Sequence, residues 1–175
     1  MKRRIVTFIL ILACYLVQTT VWNLFPLGNV KPNLLLVLMV SLALMRGMHT
    51  GLWVGFISGL MMDLSYGTFF GFNALVLMYI GYIVGKSYKV FYDENIKIPM
   101  LLVAVSDFAY NLIFYVIQFA FRQRFAFSTY FVHIILPEIL YTVLCTLLLY
   151  KLFYFINRKL TANELEESDS PWLLK

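Results

Sequence analysis

Three carboxylates occupy places where a carboxylate is costly. Asp63 ends the apolar run Leu60-Met61-Met62, Asp107 lies between Val105-Ser106 and Phe108, and Glu138 follows Ile134-Ile135-Leu136-Pro137. An ionisable group inside a membrane faces a penalty of a few kcal/mol or more, and so by default marks a function or a pairing. The chemistry open to such groups is recognition, because a carboxylate offers acceptors to a substrate or to donors on a partner chain. No lysine or arginine of the chain reaches the depth of any of the three. The alternative is local: Asn73, Tyr110, Asn111 or Tyr141 caps them, or they stay protonated. For Asp63 the nearby Gly67 and Gly71 favour a helix-end role beside a tight turn.

Covalent chemistry has little support. Ser58 in Phe56-Ile57-Ser58-Gly59 would be the nucleophile of an intramembrane serine protease, with His133 as its base. That motif wants glycine at the place of Phe56, and His133 starts the last apolar run, so Ser58 reads as a small packing residue. His49 and His133 fall at different depths, and neither lies at metal-ligand spacing from Cys14 or Cys145. The two cysteines sit inside apolar runs, where packing is their natural use. No phosphate loop or dinucleotide fingerprint is present, and no cofactor is expected. The 12 tyrosines and 16 phenylalanines suit membrane-interface belts and packing better than a cofactor box.

The elements that would position these acids are helices in a bilayer. At 62% hydrophobic and 13% charged, the 175-residue chain has too few charges to coat a soluble domain. Its central feature is a glycine ladder: Gly47, Gly51, Gly55, Gly59, Gly67 and Gly71 recur every fourth residue, and Asp63 fills the missing place. On a helix this leaves a groove without side chains, which lets a second backbone approach and build a contact from van der Waals packing. The next helix has its own small pair, Gly81 and Gly85.

Six helices are expected, at about 5–25, 33–45, 50–66, 72–86, 98–121 and 130–156, within one transmembrane domain spanning 1–160. The first apolar run is roughly the 30 Å of a hydrocarbon core. No cleavage site follows it, and Leu12 before Ala13-Cys14 fits a lipoprotein box poorly, so it reads as a retained span. The second helix covers only about 20 Å; it must thin the bilayer, extend into its flanks or be shielded by neighbours. Pro99 suits the first turn of the fifth helix. Residues 161–175, acidic and then Pro171-Trp172-Leu173-Leu174-Lys175, read as a flexible cytoplasmic tail.

Six spans put both termini on one side. With the N-terminus cytoplasmic, 11 of the 14 basic residues fall at that face, and only Lys31, Arg122 and Arg124 lie outside. The positive-inside rule therefore favours cytoplasmic termini, and it accounts for the net charge of +5 without nucleic acid.

Three stretches resemble the family of bacterial rod shape-determining protein MreD: Lys31-Pro32-Asn33-Leu34-Leu35-Leu36, then Gly55-Phe56-Ile57-Ser58-Gly59-Leu60-Met61-Met62-Asp63-Leu64 with Gly67 and Gly71, and Leu136-Pro137-Glu138-Ile139-Leu140-Tyr141. The resemblance covers nearly the whole chain. Where family members often carry aspartate after the proline of the second helix, this chain has Asn33, so no role is carried over for that acid. What the resemblance implies is a non-enzymatic, polytopic inner-membrane protein. It would assemble with the single-pass protein MreC, be linked to the actin-like MreB and to RodA with its transpeptidase, and support lateral peptidoglycan synthesis and rod shape. Such proteins are similar in size and helix count to the S components of energy-coupling-factor vitamin transporters, which makes small-molecule binding the alternative function. An S component should offer an outward polar cavity and an Ala-x-x-x-Ala docking surface; this sequence has no such alanine motif.

The charge distribution yields a direct test. A cytoplasm-active reporter fused after Leu160 and an exterior-active reporter at Gln123 should both give signal. Inactivity of either overturns the six-span, cytoplasmic-termini topology.

Overall fold

Leu34–Arg46 holds a single polar residue, Ser41, before its terminal arginine. The Ser41 hydroxyl donates to the Val37 carbonyl at 2.7 Å, so this segment presents no side chain that needs water. In the computed structural model, which describes residues 2–24, 31–66, 70–87, 97–122 and 131–169, it is the central helix of the molecule. The helices are α1 (Lys2–Leu24), α2 (Leu34–Arg46), α3 (Met48–Tyr66), α4 (Phe72–Lys86), α5 (Lys97–Arg122) and α6 (Leu136–Asp169), with a π-helical turn, Phe131–Ile135, leading into α6. No strand occurs among the described residues.

Every residue of α2 from Leu34 to Met45 is buried. A helix of this length spans about 20 Å, and its neighbours shield it: α1, α3, α4, α5 and α6 all pack against it. Both of its ends are finished inside the protein. Asn33 Oδ1 accepts from Leu36 N at 3.2 Å, and Gln18 Oε1 on α1 accepts from Leu35 N at 3.2 Å. At the other end Gly47 adopts φ 86°, a left-handed conformation that costs glycine little, and its N–H donates to Ala43 O at 2.9 Å. The chain then turns straight into α3.

The contact between α3 and α4 is backbone against backbone. A Cβ added at Gly51 would lie 2.2 Å from Gly81 O, at Gly55 2.3 Å from Leu77 O, at Gly59 2.3 Å from Ala74 Cα, and at Gly85 2.4 Å from Met48 Cα. Gly71, with φ 91°, starts α4, and Gly67 lies outside the described residues.

Among the described residues, three segments are long and apolar enough to cross a membrane: Arg3–Thr20, Lys97–Ile117 and Phe131–Thr161. Their outer faces are greasy, with Ile5, Ile9 and Leu16 on α1, Leu101 and Val105 on α5, and Leu140, Leu144 and Leu148 on α6 all exposed. Inside are Gln18, Ser58, Ser106, Asp107, Asn111, Thr142 and Thr146. Apolar groups outward and hydrogen-bonding groups inward is the distribution that lipid selects, since hydrocarbon offers a polar group no partner.

Helix α6 runs further than the sequence suggested. It continues past 156 to Asp169, with Thr161 Oγ1 bonded to Asn157 O at 3.0 Å and good helix formers such as Leu160, Ala162 and Glu164 beyond the last apolar turn.

The glycine contact makes even one methyl group costly. Gly59→Ala should lower stability in mild detergent by about 1–3 kcal/mol, because the nearest atoms are backbone and cannot rotate away. Gly59→Leu should cost more, while Leu64→Ala on the exposed face should be near neutral. Equal unfolding midpoints for Gly59→Ala and wild type would contradict this packing.

Candidate functional site

The end of α3 and the starts of α2, α4 and α6 come together at one end of the bundle. Asp63 stands in the last turns of α3, directly beside the start of α4. Its carboxylate accepts from Gly71 N at 3.0 Å, Asn73 N at 3.1 Å, Asn73 Nδ2 at 2.9 Å and Ala74 N at 3.1 Å. Gly71 caps α4 without a side chain, so an acid from the neighbouring helix satisfies the N–H groups that a helix start leaves open. The helix dipole adds to the attraction. Asn73 passes the network on, for its Oδ1 accepts from Tyr110 Oη on α5 at 2.6 Å.

One residue along α5, a second polar group begins. Asn111 Nδ2 donates to the Asp107 carbonyl at 3.1 Å, a backbone bond that leaves the Asp107 carboxyl untouched. Asp107 is fully buried, and neither carboxyl oxygen has a hydrogen-bond partner among the described residues. Thr142 lies beside that carboxyl, but its hydroxyl donates to Glu138 O at 2.7 Å and accepts from Asn33 N at 3.3 Å. The half-buried Glu138 side chain meets Asn111 and lies within electrostatic reach of Asp107. Asn33 Nδ2 is a buried donor likewise without a partner among the described residues.

Asp107, Asn111 and Glu138 are therefore together, at the N-terminal end of α2, while Asp63 and Asn73 form a separate cap that bonds to Tyr110, the neighbour of Asn111 on α5. Tyr141 is half-buried one turn along α6 from Glu138. Ser58 is completely buried with no hydrogen-bond partner for its hydroxyl among the described residues, whereas His133 is exposed on the π-helical turn, so the two are not paired. Sequence reasoning passed over Gln18 and Thr142, which tie α1 and α6 to the start of α2. Their signal was present, as each is an amide or hydroxyl within an otherwise largely apolar helix.

A buried acid with free acceptors beside an amide with a free donor can recognise a group that both donates and accepts. It can equally receive a donor carried on another protein. It has no nucleophile, base and oxyanion donor in line, as acyl transfer would need.

These features define a polytopic all-α membrane protein whose polar groups are gathered inside the bundle. Residues 1–160 match the family model described as rod shape-determining protein MreD. The chain belongs to the MreD family, and with it to the proteins that determine rod shape from the membrane. Comparisons with curated proteins and with solved structures gave no match.

Removing the Asp63 carboxylate should uncap α4. Asp63→Ala leaves three backbone donors of a buried helix start unsatisfied, and should cost about 2 kcal/mol or more; Asp63→Asn, which keeps acceptor capacity, should cost less. The check is thermal stability in detergent, and no difference between Asp63→Ala and wild type would refute the capping role.

Proposed function

We propose that this chain is a non-enzymatic assembly protein of the cell-elongation machinery in the bacterial inner membrane. In this reading it binds an MreC-like single-pass membrane protein and, through the resulting complex, is linked to MreB and to RodA with its transpeptidase. Lateral peptidoglycan synthesis and rod shape depend on it. Both termini lie in the cytoplasm, which puts the Asp107–Glu138 cluster in the outer half of the bundle.

The observation that carries the reading is the position of Glu138. It is half-buried beside the carboxyl of Asp107, which has no hydrogen-bond partner among the described residues, and the exposed Leu148 and Leu152 form an apolar stripe further along the same flank of the helix. A partner's transmembrane helix can lie along such a stripe. A donor on that partner would satisfy an acid for which the chain has no cation of its own at that depth.

Glu138→Leu should insert and fold yet bind the MreC-like protein roughly 30-fold or more weakly, as loss of one member of a buried charged contact does, and cells should round up. Glu138→Gln, which keeps shape and hydrogen bonding, should fall between. Copurification in mild detergent with mass spectrometry reads the result. Partner recovery and cell shape unchanged in Glu138→Leu would remove Glu138 from the interface, and copurification with ATPase subunits and a bound vitamin would favour the S-component function instead.

A further inference from the structure

At the opposite end of the bundle, a cavity of about 1030 Å³ opens between the start of α1, the end of α2 and the start of α3. Arg3, Arg4, Arg46 and His49 line it, and its described lining contains no acid. Arg46 is held in place from two sides: its Nε donates to Asn157 Oδ1 and its Nη1 to Thr7 Oγ1, both at 2.6 Å. Below the charged rim the wall becomes apolar, with Phe8, Trp53 and Ile57. Phe8 is 49% and Trp53 63% exposed, so the cavity is open along the face that meets lipid.

Basic residues that only set topology need to lie near the end of a span; they have no reason to converge on one walled cavity. Here three arginines from two helices line one cavity whose floor is apolar. Guanidinium matches phosphate oxygens through paired N–H donors. The first turns of α1 and α3 also lie at this end, and helix starts favour anions. The volume is at the upper end of pockets that enclose a drug-sized molecule, enough for a headgroup and the first segments of its chains.

We propose that this cavity binds the phosphodiester headgroup of an anionic membrane lipid, with Arg3 and Arg4 on the phosphate, Arg46, bonded to Asn157 and Thr7, adding its positive charge behind them, and the upper acyl chain along Phe8, Trp53 and Ile57. The shared chemistry is a phosphate anion. The exposed aromatic wall selects a lipid as its source, since a free phosphate would leave that wall unused. The site is separate from Glu138 and does not depend on a protein partner.

The test uses the full-length protein in mild detergent, with binding followed by native mass spectrometry and by thermal stabilisation. The probes are phosphatidylglycerol, phosphatidylcholine and inorganic phosphate. Phosphatidylglycerol should bind in preference to phosphatidylcholine, and inorganic phosphate should stabilise little. The double variant Arg3→Gln/Arg4→Gln should bind phosphatidylglycerol roughly 10- to 30-fold more weakly. Ile57→Trp, which fills the floor and leaves every charge, should lose it as well. Arg158→Gln/Lys159→Gln removes the same charge from exposed positions on α6 and should bind normally. The proposal is overturned by equal binding of the two lipids, by undiminished binding in the first two variants, or by an equal loss in the control. Stabilisation by inorganic phosphate that matches the lipid's would also overturn it, by showing a free-phosphate site.

Discussion

A thirteen-residue helix cannot cross a bilayer by itself, and α2 is both that short and almost wholly apolar. It is stable only when other helices surround it, and that requirement shapes the rest of the molecule. Five helices pack on α2, and its backbone ends are satisfied by Gln18, Asn33 and Gly47 instead of water. The close approach of α3 and α4 serves the same arrangement. With no side chains at Gly51, Gly55 and Gly59, the two helices fit as one thin layer on the central helix. Hydrocarbon provides no hydrophobic drive for helix association, so this contact rests on the fit of bare backbone.

Enclosing α2 also divides the polar groups between two ends. At one end are the acids: Asp63 capping α4, and Asp107 and Glu138 beside the start of α2. The other end holds Arg3, Arg4 and Arg46 around an open cavity. Helix α5 joins the two acidic groups, since Tyr110 bonds to the Asp63–Asn73 cap and the adjacent Asn111 serves the Asp107–Glu138 cluster. The two clusters differ in kind. The Asp63 carboxylate has its acceptors filled by four donors, the mark of a structural acid. The Asp107 carboxyl has none among the described residues, although it is fully buried.

This division fits a membrane protein of the MreD family that works through contacts. The buried helix α2 is surrounded by helices with greasy outer faces.

Much of this was legible in the residues. Hydropathy and charge specified six helices in a membrane, because apolar length and scarcity of charge are properties of the chain before it folds. The glycine ladder identified α3 as a close-packing helix, and Asp63 beside Gly71 pointed to a helix end, since both are read from local spacing. The identity of the central helix was not readable. Leu34–Met45 looks like any apolar run, and its burial depends on which helices surround it. Pairing was equally hidden: nothing in one dimension says that Gly51 faces Gly81, that Gln18 caps α2, or that Asp107 and Glu138 share a site while Asp63 stands apart. The basic cavity is of the same kind. Arg3 and Arg46 each read as a topology signal, and only the packing of α1, α2 and α3 sets them around one space, because convergence of side chains is decided by how helices cross rather than by their composition.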